Sequence, residues 1–373
     1  MRQGTAAANP SPSRPPALSP LLARIGFDAI DGWAEDDHGA ALVCFQRSAR
    51  RMAARPYTTK ALGVDGAALA RLGALALGVD PAAARTFFET NFTPHRIGAA
   101  GFVTGYYEPQ VAASPVPTAR FGYPLYRRPP DLVDIDDANR PPGWDPDVRF
   151  GRHTAAGIAE YFDRAAIEAG ALSCRGLELA WIESPVDGFF IHIQGSARLI
   201  MPDGTVRRIA YAGKSGHPFT PIGRLLVEAG RLRRDEVSMQ AIRDWLNADP
   251  ERGRELMAKN RSFIFFADIA QPDPALGPVA AASVALSPGL SLAVDHRLHT
   301  FGSPVWVATS EPLPEQERPF RRLMVAQDTG SAITGPARGD LFIGSGEAAG
   351  RVAGAIRHAA DFIVLVPVAQ VAS

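Results

Sequence analysis

RRLMVAQDTGSAITGPARGDLFIGSG, residues 321–346, reads as strand, turn, loop and strand. Leu323, Met324 and Val325 form an apolar run that ends on Gln327-Asp328, and Thr329-Gly330-Ser331 breaks it. A loop bearing Gly and Pro follows. Asp340 then opens a second apolar run, Leu341-Phe342-Ile343, closed by Gly344-Ser345-Gly346. Two carboxylates therefore stand at two strand ends joined by one tight loop. Glycine serves where backbone bends sharply or approaches a ligand closely, and functional residues gather on loops held by a rigid scaffold. An Asp beside glycine also serves as a turn residue, bonding its own backbone. Two such residues on one loop, with a third, Asp295, behind another apolar run, make a cluster of titratable groups, the pattern of a functional site.

Outside this stretch the totals narrow the class. The 373 residues suffice for two domains. Lys+Arg and Asp+Glu number 39 each, so the basic excess of a nucleic-acid binder is missing. The 35 Gly and 32 Pro point to turns and short strands rather than long helices. Cys44 and Cys174 are far apart and fit no metal spacing; they are two buried thiols or one disulfide, and sequence does not choose between them. No apolar run reaches the roughly 18 residues of a membrane span. The first twenty residues, MRQGTAAANPSPSRPPALSP, lack the apolar core of an export signal and read as a disordered lead-in.

Residues 36–92 read as helical. Asp36 or Asp37 caps a helix with Leu42, Phe45, Ala49 and Met52 on one face, and Asp80-Pro81 starts another carrying Ala84, Phe87 and Phe88. GFVTGYYEP, residues 101–109, is a short strand with an aromatic pair and an exposed-looking Thr104 and Glu108. Rings beside polar groups suit a sugar face, and they equally suit a core strand. A helix is expected over 154–170, with a stripe through Ile158, Tyr161, Phe162, Ala165 and Ala169. Residues 177–182 are a strand, and GFFIHIQGSARLIM, residues 188–201, reads as a long alternating extended stretch interrupted at Gly195. The turn Pro202-Asp203-Gly204 leads into a strand over 206–212. This middle section reads as all-β, a small barrel or curled sheet. In the polar loop YAGKSGHPFTPIG, residues 211–223, Lys214 and His217 read as surface, capping or ligand-contact residues rather than catalysts. Two helices follow, capped by Ser238 and by Asp249-Pro250. From Ser262 onward the pattern is β, with short strands and long Gly/Pro connections that suit a compact barrel.

No P-loop, GxGxxG after a strand, HExxH or GxSxG occurs, and the eight histidines show no ligand spacing, so neither metal nor cofactor is expected. Asp328-Thr329-Gly330-Ser331 matches half of an aspartic-protease site, but that chemistry needs a second such carboxylate and the chain has one copy. Cleavage of a glycosidic bond fits better. It needs an acid to protonate the leaving oxygen, and Asp340, near a second carboxylate and partly buried by an apolar strand, is placed to hold its proton.

GFVTGYYEP (101–109), ELAWIESPVDGFFIHIQGSARL (178–199), YAGKSGHPFTPIG (211–223), VDH (294–296), MVAQDTGSAITG (324–335) and RGDLFIGSG (338–346) occur in that order. Together they resemble the lytic murein transglycosylase A (MltA) family, whose C-terminal module is named the 3D domain for three aspartates, here Asp295, Asp328 and Asp340. The resemblance spans most of residues 95–370. It implies a mainly β fold with N-terminal helices: a double-psi β-barrel domain, a smaller inserted β-barrel domain, and a groove between them. On that basis residues 1–20 are the lead-in, 21–108 the helical part of domain 1, 109–235 the inserted domain, and 236–373 the rest of domain 1.

The resemblance further implies lytic cleavage of the β-1,4 bond between N-acetylmuramic acid and N-acetylglucosamine, leaving a 1,6-anhydro end. Asp340 matches the single catalytic acid, with Asp328 and Asp295 in support. Thr104, Tyr106, Gln194, Gly195, Ser196, Gly330 and Lys214 are the candidate glycan contacts. The implied partners are peptidoglycan strands, with cell-wall synthesis machinery a further class; the implied state is a monomer in the periplasm, associated with the outer membrane. This chain departs in showing no export signal and no cysteine near its start, which leaves membrane anchoring open. A non-catalytic peptidoglycan-binding protein and a muramidase-type hydrolase are the alternatives.

Overall fold

The computed structural model describes residues 17–270 and 273–371. Most of the expected lead-in, through residue 16, lies outside that range. The last part is tied down, since the Ser19 amide bonds to the Leu62 carbonyl.

Three helices, His38–Ala54, Gly66–Ala76 and Ala84–Asn91, begin where their caps say. Asp37 accepts from the Ala40 amide and Asp65 from the Ala67 amide, while Asp80 caps a short turn ahead of the third. Leu42, Phe45, Ala49 and Met52 are buried on one face, and Phe45 meets the edges of Phe88 and Phe92.

These helices cover an eight-stranded sheet. Its order is Leu22–Arg24, Phe92–Ile97, Arg357–Pro367, Pro304–Pro312, Pro319–Asp328, Ser291–Val294, Arg338–Ser345 and Phe102–Glu108. The long Arg357–Pro367 strand closes the ring. Its first residues pair with 102–104 and its later ones with Val305–Thr309, so six strands form a closed barrel with no free edge between them. Val305, Trp306 and Val307 are consecutive and all fully buried, as expected where both faces of a strand are covered.

A second, six-stranded sheet runs Ile264–Ile269, Val206–Lys214, Ser196–Ile200, Gln110–Ser114, Glu178–Ile182 and Tyr123–Tyr126. A single bridge, Arg127 to Phe266, brings its two edges together. Asp203-Gly204 makes the expected hairpin, with Ile200 opposite Val206. The sheet needs Ile264–Ile269, which pairs along Val206–Lys214. The expected boundary at 235 therefore falls short. Helices Met239–Ala248 and Pro250–Ala258 pack on helix Pro185–Gln194 through Phe189, Phe190, Leu246 and Met257, and the chain leaves this half only after residue 269.

Two local expectations fail for identifiable reasons. The helix expected over 154–170 is a hairpin, Phe150–Thr154 with Gly157–Ala159, followed by a short irregular helix, Arg164–Ala166 running into Ile167–Ala171, capped by Asp163. Gly157, at φ 115°, makes the turn, and Tyr161 and Ile167 are buried in a cluster with Phe265, which mimics a helical stripe. The extended stretch expected over 188–201 is helix Pro185–Gln194, then strand Ser196–Ile200. Ser184 accepts from the Asp187 amide, Pro185 opens the first turn, and Gly195 ends the helix at φ 77°. Both cysteines are free thiols, Cys44 buried and Cys174 exposed.

Candidate active site

One row of the barrel brings the site together. Ala293 lies opposite Asp328 on one side and opposite Asp340 on the other, and Asp340 in turn lies opposite Thr104. Opposed residues share a face of a sheet, so Asp328, Ala293, Asp340 and Thr104 project together. The methyl group of Ala293 leaves space between the two carboxylates. Residues two further along, Tyr106 and Phe342, pack ring to ring at 5.3 Å and join Ala293 and Leu286 in an apolar cluster under the acids.

Each carboxyl has a different environment. Thr104 donates its hydroxyl to Asp340 Oδ1 at 2.5 Å. Burial pushes Asp340 up to about 6, against the Thr104 hydrogen bond and the Arg338 charge, with Asp328 adding an upward push. Asp328 is also raised by burial, although it accepts from the Tyr106 hydroxyl at 2.9 Å, the Thr329 amide at 2.8 Å and the Ala281 amide at 3.3 Å. Burial and the adjacent Asp328 hold the Tyr106 phenol well above its ordinary value, so it serves as a donor. Asp295 goes the other way. Burial pushes it up, but bonds from the Gly335 amide and Arg297 outweigh that and leave it below the usual carboxylate range. Its carboxylate holds the loop between the other two aspartates rather than facing them.

The other candidates divide. Thr104 and Gln194 line one cavity of about 250 Å³ between the Phe102–Glu108 strand and helices Pro185–Gln194 and Met239–Ala248, with neither Asp340 nor Asp328 in its lining, and Gln194 accepts from the Tyr107 amide. Gly195 caps the helix behind Gln194, and Ser196 is buried. Lys214, its ammonium lowered by burial, reaches from the second sheet to Ser331 at 3.3 Å, beside the exposed Gly330. Tyr106 is buried, its ring in the core and its hydroxyl on Asp328. His217, read as a surface, capping or ligand-contact residue, is buried with Nε2 on the Tyr161 carbonyl at 2.8 Å. Glu108, read as exposed, is fully buried between Arg198 and Arg208. Sequence reading missed Arg338, whose Nη2 donates to Thr104 Oγ1 at 2.7 Å. Its spacing of two from Asp340 was the available signal, because alternate strand residues share a face.

The fold and the carboxylate row place the chain among mainly β proteins that carry a 3D domain: residues 290–366 match that family model, and residues 102–267 match the "MltA specific insert domain". The chain belongs to the membrane-bound lytic murein transglycosylase A family. A crystal structure of the membrane-bound lytic murein transglycosylase from Agrobacterium tumefaciens is 46% identical, with a TM-score of 0.88 over 93% of this chain and 97% of that one. Membrane-bound lytic murein transglycosylase A of Escherichia coli K12 is 34% identical over 262 residues, 68% of this chain. That match spans 62% of the relative's length. The structure of E. coli MltA with bound chitohexaose is 27% identical, with a TM-score of 0.63 and 95% of each chain covered. Among the described residues no helix is long and apolar enough to cross a membrane, and no group of three His, Cys, Asp or Glu is placed to hold a metal ion.

Proposed function

We propose that the protein is a peptidoglycan lytic transglycosylase acting through Asp340 alone as general acid and base. The observation that carries this reading is a carboxyl that burial keeps protonated up to about pH 6, in one row with Asp328 across Ala293. The printed names of its relatives, and the chitohexaose held by one of them, support a β-1,4-linked amino-sugar substrate. The bond cut joins N-acetylmuramic acid to N-acetylglucosamine. Asp340 gives its proton to the glycosidic oxygen as the C1–O bond breaks. The C6 hydroxyl of the muramic acid then bonds to C1 of its own ring and returns its proton to Asp340. The product is a 1,6-anhydro end, and no water is consumed. Because the substrate carries its own nucleophile, held beside C1, one carboxyl suffices.

The closed six-stranded ring is read as a double-psi barrel and the second sheet as the smaller barrel, with the glycan in the groove between them. Thr104, Gln194, Gly195, Gly330 and Lys214 border its path, with the buried Ser196 behind Gly195; Asp328, Asp295 and Tyr106 support the acid and its loop. The reading places a monomer in the periplasm, where the substrate lies.

Purified sacculi incubated with the protein are expected to release muropeptides lighter by one water than hydrolytic products. Fully hydrated reducing ends would instead mean a muramidase-type hydrolase. Binding without products would mean a scaffold. The acid works only when protonated, so kcat is expected to fall as pH rises through about 6. A rate that stays flat from pH 5 to 8 would sink Asp340 as the acid.

A further inference from the structure

Arg338, Thr104 and Asp340 form a directed chain of hydrogen bonds. Arg338 and Asp340 lie two residues apart on one strand, and Thr104 is the register partner of Asp340 on the next. Thr104 Oγ1 accepts from Arg338 Nη2 at 2.7 Å and donates to Asp340 Oδ1 at 2.5 Å. The direction is set by chemistry. A guanidinium has donors and no acceptor, so the only proton of the hydroxyl must point to the carboxyl. The guanidinium is itself held: its other arm bonds the Gly339 carbonyl, and its Cζ lies 5.6 Å from the Phe102 ring centre. Asp340 Oδ1 is thereby an acceptor whether or not the group is ionised. A neutral carboxyl carries one O–H, so that proton belongs on Oδ2.

We propose that Arg338 is a positioning residue: by turning the Thr104 hydroxyl onto Oδ1, it fixes the acid proton of Asp340 on Oδ2 and presents that oxygen to the leaving glycosidic oxygen. The inference rests on the reading of Asp340 as the acid. The charged or titratable groups around Asp340 are Arg338 on its own strand, Tyr106 on the strand beside it, and Asp328 across Ala293. Beyond these, Asp295 and Lys214 are turned to the 329–337 loop, and Arg357 bonds the Val237 carbonyl. Arg338 and Thr104 both favour the ionised carboxyl, whereas Asp328 opposes it.

The test is the pH–rate profile of the full chain on isolated glycan strands for Arg338→Met, Thr104→Val, the double variant and Thr104→Ser. Arg338→Met is expected to lose ~10- to 100-fold in kcat with little change in KM, the range for a misplaced catalytic group. Its alkaline limb should move to higher pH. Thr104→Val should behave alike, and Thr104→Ser should recover most of the rate. The double variant should be no slower than the slower single variant, because both act through one hydroxyl. A rise in KM at full kcat would make Arg338 a substrate contact and overturn the proposal. So would multiplicative losses or an unmoved alkaline limb. Should Arg338→Met fail to fold, the Thr104→Val and Thr104→Ser pair decides by the same limb. Full activity of Asp340→Asn would remove the underlying reading instead, a separate outcome.

Discussion

Asp340→Asn is expected to reduce transglycosylase turnover by roughly a thousandfold, within the range that positioned proton transfer supplies, while the protein becomes more stable at neutral pH. Asn keeps the shape and can still accept from Thr104, but it has no proton to give at this acidity. Binding of glycan strands should survive, since the loss falls on the transition state rather than on ground-state contacts.

The gain in stability follows from the same burial that makes the acid. In the fold Asp340 titrates near 6, against 3.8 unfolded. A carboxyl raised on folding binds more protons in the native state, so its contribution to stability decreases as pH climbs from about 4 to about 6 and stays low above that. At about 1.4 kcal/mol per pH unit of displacement, the ionised group costs up to about 3 kcal/mol above pH 6. The Asn variant lacks that cost. Its melting temperature should equal that of the wild type near pH 4, and the gap should open through pH 6 and then hold constant. A gap independent of pH would mean that Asp340 is not strained by burial.

The parts of this site that were legible from sequence are those set locally. An apolar run that stops on Asp beside glycines marks a strand end, and helix caps such as Asp37, Ser238 and Asp249 announce themselves by residue type. Pairing across the chain was not legible in composition or periodicity. Nothing near Asp340 says that Thr104, 236 positions earlier, will be its register partner; the family resemblance named Thr104, as a glycan contact, without that role. The assignment of Ile264–Ile269 to the second sheet is likewise a long-range fact that a boundary drawn at a change of local texture misses. Apolar alternation over 188–201 was read at period two. The Ser184-Pro185-Val186-Asp187 cap and the terminating Gly195 were the better evidence, and they favour a helix followed by a strand. Glu108 shows the limit most clearly, because a charged residue beside two tyrosines gives no hint of two arginines supplied by another sheet.

That buried charge sets the second large effect. Arg198→Met is expected to destabilise the protein by about 3–5 kcal/mol, the usual cost of removing one partner from a buried ion pair. Glu108 ends a strand of the closed ring and is fully buried. Its Oε2 accepts from Arg198 Nε and from Ser345 Oγ, both at 2.7 Å, with Arg208 at 3.5 Å. Its Oε1 has no hydrogen-bond partner among the described residues. Arg198 and Arg208 are directly opposed across the second sheet, an arrangement that repels unless an anion sits between them. The glutamate therefore needs the arginines to be buried, and the arginines need the glutamate to be adjacent. The same two guanidinium groups bond the Leu276 carbonyl, and Arg198 also bonds that of Pro274, at the start of the segment whose Ala281 amide reaches Asp328. Loosening the pair should thus disturb the site as well as the junction of the sheets. Chemical denaturation followed by two probes measures the loss, and the double variant Arg198→Met with Glu108→Met separates its causes. If the cost is an unpaired buried charge, removing both partners recovers much of it. If the double variant is as unstable as the single one, the contacts of Arg198 with the 274–276 carbonyls hold the junction instead.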